Sequence, residues 1–457
     1  MANTKSLTEG TPWKLLLSFS VPILIGRIFQ LLYSLMDTKV VGAALGELAL
    51  ASVGSVSNLA ILLTGFANGL TIGFSIAMSY QFGRKDEEGV RKAYAGNLLL
   101  SIIIMLSVTI VMMIFLHPLM ELLRVPQEQM EMAVAYIRIL ILGFSATVLY
   151  NMCANALRAL GDSITPLMFL IVASLLNVAL DYLFVLGCYM GVAGAAYATV
   201  VSQAVSVVLC FIRIRRKFPI LHLHKSDWKL ERALAVDMLK SGMSMAFMSC
   251  LVSFGTLALQ TAINQMGTDV IVAHVATRKV FEIFMLPSFV LASAITTFSG
   301  QNYGAGRLDR IGQGLKSALL IGLVWSIIGT ILIWMTSGYL IQFIASTANP
   351  EVIRWGSIYI NVNFPFSFIC ICVCVLRNCM QGFGDRVIPV MSSIIELIGK
   401  FVFALVLTPI FFYWGVIWAE PCVWAAMVIP LIIKTRKTLR SAAAKKDKPT
   451  DASVSDG

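Results

Sequence analysis

The sequence predicts an all-α membrane protein: twelve transmembrane helices in two six-helix bundles related by a pseudo-two-fold axis along the membrane normal. Three observations lead there. The 457 residues are 58% hydrophobic and only 13% charged, with mean hydropathy +0.83, where a soluble domain carries about 25% charged residues. The remaining charge sits in short stretches between apolar runs of roughly 20 to 28 residues, long enough to cross about 30 Å of hydrocarbon as helices. The chain also repeats itself about 222 residues apart.

The apolar runs fall at about 15–40, 48–81, 93–116, 130–156, 165–187, 191–212, 236–262, 270–300, 312–336, 352–380, 387–412 and 415–433. Alternating ten-residue segments, the mark of a membrane barrel, are absent. Inside lipid every backbone amide must be satisfied, which leaves a helix bundle. The first run is too long for a signal-peptide core and lacks a small-residue cleavage site, so it is expected to span. The runs at 48–81 and 270–300 exceed one crossing, so tilt or a kink is expected, with Pro287 a place for one.

The repeat is carried by paired motifs. Gly161-Asp162 with Pro166 recurs as Gly384-Asp385 with Pro389, and Gly191-Val192 recurs as Gly415-Val416. Gln81-Phe82-Gly83 is echoed by Asn302-Tyr303-Gly304. Six spans per half is an even number, so both halves have the same orientation, and a cleft between two such bundles serves alternating access. The expected organisation is a first lobe over 1–212, a cytoplasmic linker over 213–235, a second lobe over 236–440 and a disordered tail over 441–457.

Net charge is +11. The basic residues reside in alternate loops: Arg84, Lys85, Arg91 and Lys92; the linker; Arg307, Arg310 and Lys316; and Lys434 to Arg440. The other loops hold little beyond Arg124 and Arg354. This asymmetry places both termini in the cytoplasm and reports topology rather than nucleic-acid binding. The nine cysteines lie mostly in apolar runs. Cys370, Cys372 and Cys374 scatter around a helix, which reads as core packing rather than a disulfide frame, metal or haem site.

Charged and amide side chains inside spans are the informative ones, because a charge costs about 2.5–3.5 kcal/mol at mid-membrane on insertion scales. In the first half Gln30, Tyr33 and Asp37 share one helical face at i, i+3, i+7. Asn177 and Asp181 are at i, i+4 in the fifth span, and Thr199 lies in the sixth. Two carboxylates, an amide oxygen and a hydroxyl suit sodium or a shared proton. The alternatives are polar glue between helices and a structural ion pair of Asp37 with Arg27 or Lys39. Pro22 precedes Asp37 by fifteen residues, where it can bend the first span.

In the second half Glu396 and Lys400 stand at i, i+4 with Glu first, the favourable order, and are expected to neutralise each other. Arg278 and Glu282 repeat that spacing, while Arg377 and Glu420 sit late and early in spans 10 and 12. By the Gly-Asp register, Lys400 occupies the slot of Asn177. The expected second-lobe charge network is Arg278, Glu282, Arg377, Glu396 and Lys400, with a structural lock and a substrate or gating role as the two readings.

These residues resemble the multidrug and toxic compound extrusion family, in its bacterial, DinF-like branch. The most specific stretch is Phe298-Ser299-Gly300-Gln301-Asn302-Tyr303-Gly304-Ala305 followed by Arg307 and Arg310. Met36-Asp37-Thr38 with Gly42, and Leu157 to Asp162, agree with it, and the resemblance covers about 12–440. It implies a V-shaped pair of six-helix bundles in the plasma membrane, and an antiporter that expels organic, often cationic, small molecules against H+ or Na+. It implies a coupling site at Asp37, Asn177, Asp181 and Thr199 with Gln30 and Tyr33 alongside, a bend at Pro22, no other cofactor, no metal beyond Na+, and a monomer. Another branch of the family carries a span-7 carboxylate; here that span offers only Gln260 and Asn264. The basic excess of the second half also speaks against a strictly cationic substrate.

Three other classes fit the sequence less well. The major facilitator fold has an Asp-Arg pair in the loop after span 2, and GRKDEEGVRK lacks it. A lipid-linked precursor flippase wants a strongly cationic central cavity and often more than twelve spans. An enzyme is not expected: His117, His222, His224 and His274 are scattered and no nucleophile constellation appears.

Overall fold

The computed structural model describes residues 6–446. Among them every regular element is helical. Helix α1 (Pro12–Gly83) is 72 residues long, about 108 Å at 1.5 Å per residue, far more than one crossing. At Gly46 its backbone turns to φ 82°, ψ −177°, a conformation that a side chain forbids and glycine tolerates. That residue divides α1 into the two spans expected at 15–40 and 48–81. Around Pro22 the backbone keeps helical dihedrals, Gly46 being the one non-helical position inside α1.

Next come α2 (Glu87–Ile114) and the short α3 (Leu116–Leu122). α4 (Gln127–Leu142) and α5 (Phe144–Ala159) meet at Gly143 with a 42° bend and together make one crossing. α6 (Ile164–Asp181) passes into a π-helical turn, Tyr182–Gly187. α7 (Gly191–Lys217) and α8 (Arg232–Ile263) flank the expected linker, which holds two 3-10 turns, Pro219–Leu221 and Lys225–Trp228.

α9 (Thr268–Gly304) runs through Pro287 as one helix, and α10 (Leu308–Ala345) follows. α11 (Pro350–Asn363) and α12 (Ser367–Gly382) are joined by a 3-10 turn at Phe364–Phe366. α13 (Val387–Val402) ends in a π turn, Phe403–Leu407, before α14 (Thr408–Phe411) and α15 (Tyr413–Lys446). Divided at Gly46, with each bent or broken pair taken as one crossing, these helices make twelve spans. α15 continues six residues into the tail expected to be disordered from 441; residues 447–457 lie outside the described residues.

The repeated Gly-Asp motif has a local physical cause. Gly161 and Gly384 adopt φ of 84° and 90°, turning the chain between spans. The Asp that follows then caps the next helix. Asp162 accepts from the amides of Ile164 and Thr165, both at 3.0 Å, and Asp385 accepts from that of Ile388 at 3.4 Å. Such caps satisfy amides that the helix cannot.

The chain divides into two compact units, one of Leu17–Phe254 and one of Leu7–Leu16 with the chain from Gly255 onward. In the first, Val56, Ile137, Ala195 and Ala196 belong to one buried cluster and Met78, Cys153, Leu157 and Cys210 to another. α1 and α8 approach at small residues: a Cβ on Gly73 would lie 2.5 Å from the Cα of Gly242. In the second unit Phe281 stacks on Trp424 and meets Phe364 edge-on, and buried His274 sits against Tyr359 and Tyr413. Large apolar side chains line the outer faces of both units, Ile61 and Leu175 in one, Met335 and Leu405 in the other. That pattern suits hydrocarbon surroundings. The nine cysteines are free thiols.

The Leu7–Leu16 segment is tied to the junction of α9 and α10. The amide of Leu7 donates to Oε1 of Gln301 at 2.8 Å, and Nδ2 of Asn302 donates to the Leu7 carbonyl at 3.2 Å. Arg307 donates to the carbonyl of Thr8 and Arg310 to that of Gly10. The side chain of Leu7 is buried. Four of the most specific residues in the second-half motif thus serve as a socket for the start of the chain.

Candidate ion-coupling and substrate site

The first unit gathers polar side chains from five spans. The second half of α1 cannot turn back beside its first half without the Gly46 break, and the first half brings Gln30, Tyr33 and Asp37 inward. α6 supplies Asn177 and Asp181, both buried, and α7 supplies Thr199. Asp181 is the last residue of α6 before the π turn. Such turns recur at functional sites because they re-aim side chains within a continuing helix. Nδ2 of Asn177 donates to the hydroxyl of Thr199 at 3.4 Å.

That bond uses one of the two amide donors of Asn177 and leaves its Oδ1 without a donor. Oδ1 of Asn177, both carboxylate oxygens of Asp181 and Oδ1 of Asp37 are buried, and no donor among the described residues reaches them. Buried polar atoms are normally hydrogen-bonded, and an uncompensated buried carboxylate is costly. An all-oxygen, all-acceptor group of this kind fits a proton or a hard cation such as sodium. Neither Arg27 nor Lys39 forms an ion pair with Asp37. Arg27 instead donates from Nη1 to Oε1 of Gln30 at 3.0 Å.

Beside these residues lies a cavity of about 70 Å³ lined by Arg27, Gln30, Tyr33, Asn177 and Thr199, with Asn68, Thr147, Asn151 and Gln203 among its other walls. A second hollow of about 20 Å³ shares Arg27, Gln30, Asn68, Tyr150, Asn151 and Leu170 with it and adds Pro22 and Arg158. The two form one recess. Asp37 and Asp181 line neither part. Sequence reading alone did not reach Arg158, Asn68, Asn151 or Tyr136. Tyr136 is a buried phenol on α4 within electrostatic reach of both carboxylates. Its only signal was a polar atom inside an apolar run.

In the second unit the expected charges assemble with one exchange. Glu396 accepts from Lys400 at 2.9 Å and from Arg377 at 3.4 Å. Arg278 pairs with Glu420 at 2.8 Å, and Lys400 reaches the same carboxylate at 3.9 Å. Glu282, expected to partner Arg278, is instead exposed and paired with Lys279 at 3.2 Å. Glu420 takes its place, because the carboxylate across the helix interface is more deeply buried than the one along the helix. Arg377 also donates to Ser393, and Lys400 to Thr256.

The MatE family model matches residues 22–183 and again 244–406, one match in each half. The probable multidrug resistance protein YpnP of Bacillus subtilis is 27% identical over 409 residues, 89% of this chain and 90% of that protein. The FAD transporter of Shewanella oneidensis is 26% identical over 368 residues, 79% of this chain and 80% of that protein. A crystal structure of a MATE protein in its bent conformation superposes with TM-score 0.90 at 22% identity, covering 97% of this chain and 98% of that one. With both halves matched, and with the helices, repeat and motifs in agreement, the chain belongs to the MATE family of multidrug efflux transporters.

Proposed function

We propose that this protein is a secondary active efflux antiporter, exporting organic small molecules in exchange for H+ or Na+ by alternating access. The observation that carries the reading is the group of buried, donorless oxygens on Asp37, Asn177 and Asp181. Asn177 also lines a polar cavity of about 70 Å³ in the same unit, together with Arg27, Gln30, Tyr33 and Thr199. An ion on the carboxylates removes the cost of their burial, and its release restores that cost. Asn177 and Thr199 belong to both places, so a change on one side is felt on the other. Pro22 leaves α1 without one backbone hydrogen bond, which makes that span the natural element to bend between two states. Coupling is reciprocal: the ion weakens substrate binding by the factor by which substrate weakens ion binding.

In this reading the protein works as a monomer in the plasma membrane with both termini in the cytoplasm, as the basic loops favour. The experiment is efflux of a fluorescent organic dye from proteoliposomes, first under an imposed sodium gradient and then under an imposed proton gradient. One gradient should drive transport. Asp37→Asn and Asp181→Asn keep size and lose charge, and each should abolish the driven component while folded protein remains in the membrane. Full gradient-driven transport in both variants would make these residues helix glue and place the driving ion elsewhere.

A further inference from the structure

We infer that the first-unit recess is an anion site, where Arg27 and Arg158 hold a carboxylate, sulfonate or phosphate group of the substrate. The inference rests on the antiporter reading for its biological use, but not for its chemistry.

The charge lining the recess is of one sign. Arg27 faces both parts of it and Arg158 faces the inner part, and no Asp or Glu lines either. Arg27 sits within the first apolar span, where an unpaired charge is costly, and Arg158 lies in the last turn of α5. Neither forms an ion pair with a carboxylate among the described residues. Arg27 donates only to the side-chain oxygen of Gln30, and Arg158 only to that of Asn155, each bond 3.0 Å long and each acceptor neutral. The Nε of Arg158 is buried with no acceptor. A guanidinium has five N–H donors in a planar fork shaped for carboxylate and phosphate, so most of that capacity faces the recess.

A purely structural arginine would be expected to find a carboxylate partner, and the second unit shows that this protein builds such partners where it wants them. Arg278 has Glu420 and Arg377 has Glu396. In the first unit the two carboxylates pair with neither arginine, and Oδ1 of Asp37 and both oxygens of Asp181 are buried without a donor. Acceptors without donors and donors without acceptors therefore occupy neighbouring compartments of one lobe. Compensation from within the lobe was available and is not made. An external cation on one side and an external anion on the other resolve both. Tyr33 and Tyr150 line the recess, with Asn68, Asn151, Gln203 and several hydroxyls among its other walls. That suits an anionic group that accepts hydrogen bonds.

The test uses the full-length protein purified in detergent and two dyes of one xanthene scaffold, anionic fluorescein and a cationic rhodamine, with binding read by fluorescence anisotropy. The expected result is tighter binding of fluorescein than of the rhodamine. Arg27→Gln and Arg158→Gln should each weaken fluorescein binding by at least about tenfold, the factor that corresponds to about 1.4 kcal/mol. Arg27→Lys and Arg158→Lys, which keep the charge, should retain measurable binding, and rhodamine affinity should not fall in any variant. Equal or tighter rhodamine binding by the wild type overturns the inference, as does fluorescein affinity that survives both Gln variants. If the Gln variants fail to fold, the wild-type comparison of the two dyes decides. Gradient-driven fluorescein transport in proteoliposomes separates the two readings. Arginine-dependent binding without driven transport sinks the antiporter and keeps the anion site. Driven transport of the rhodamine without fluorescein binding does the reverse.

Discussion

Lys400 donates to Glu396 one turn away on α13, with Nζ 2.9 Å from Oε1, yet it is the surplus cation of its network. Arg278, Arg377 and Lys400 face Glu396 and Glu420. Removing Lys400 leaves two complete pairs, Arg377 with Glu396 and Arg278 with Glu420. Removing Glu396 leaves Arg377 without a carboxylate and Lys400 with only its 3.9 Å contact to Glu420, and breaking a buried pair in this way costs about 3–5 kcal/mol. Glu396→Gln should therefore lower thermal stability and monodisperse yield more than Lys400→Met. The reverse order would show that Lys400 anchors the network.

A second prediction concerns the hydrogen bond from Asn177 to Thr199. Thr199→Val keeps the shape and removes the acceptor, freeing Asn177 to rotate its amide donors toward the carboxylates. The ion concentration giving half-maximal driven transport should rise roughly threefold to tenfold, the range that one hydrogen bond of about 0.5–1.5 kcal/mol allows. Thr199→Ser should stay near the wild type. Identical ion dependence in Thr199→Val would remove this bond from the coupling scheme.

The packing of α1 on α8 gives a third. Alanine at Gly73 puts its Cβ 2.5 Å from backbone atoms of Gly242 and Ser241, and alanine at Gly69 puts it 2.8 Å from the Cα of Ala246. Backbone cannot yield as a side chain can, so Gly73→Ala should destabilise by about 1–3 kcal/mol. Gly65, one turn earlier on the same helix, has nothing within 4 Å of its would-be Cβ. Gly65→Ala should be neutral or stabilising by up to about 1 kcal/mol. Thermal unfolding of the two variants side by side checks the close approach.

The topology yields the fourth prediction. Ser226 and Thr268 are both exposed, so cysteines there are open to reagents. In a background lacking the exposed native thiols Cys188 and Cys422, an impermeant maleimide added to intact cells should label Thr268→Cys and miss Ser226→Cys. The opposite pattern would invert the protein in the membrane.

How far the sequence reached depended on whether the determining contact was local. The spans were readable because hydropathy is summed along the chain, and the two crossings inside α1 were readable although one helix contains both. Gln30, Tyr33, Asp37, Asn177, Asp181 and Thr199 stood out as polar atoms in apolar runs, and all belong to one lobe. Partnership was the weaker point. The i, i+4 rule paired Arg278 with Glu282, while the structure pairs it with Glu420, 142 residues away, which no periodicity can reveal. Nearness in sequence makes Arg27, like Lys39, an alternative partner for Asp37. It faces the recess with Arg158 instead, since which way a side chain leans across a bundle is set by neighbours on other helices. The end of α15 was missed for a different reason: Ser441 to Lys446 is mostly alanine and lysine, good helix formers that composition alone had grouped with the tail.

The segment docked on Gln301, Asn302, Arg307 and Arg310 has a consequence for biosynthesis. Leu7 and Gln301 are 294 residues apart in the chain. At about 5–20 residues per second, a ribosome needs roughly 15–60 s to travel between them. During that interval the first span has been made, but the residues that will hold its leading end do not yet exist. The Leu7–Gly10 segment must wait, undocked, while much of the chain is made after it. Closing this contact is therefore among the late events of assembly, however early its first residue emerges.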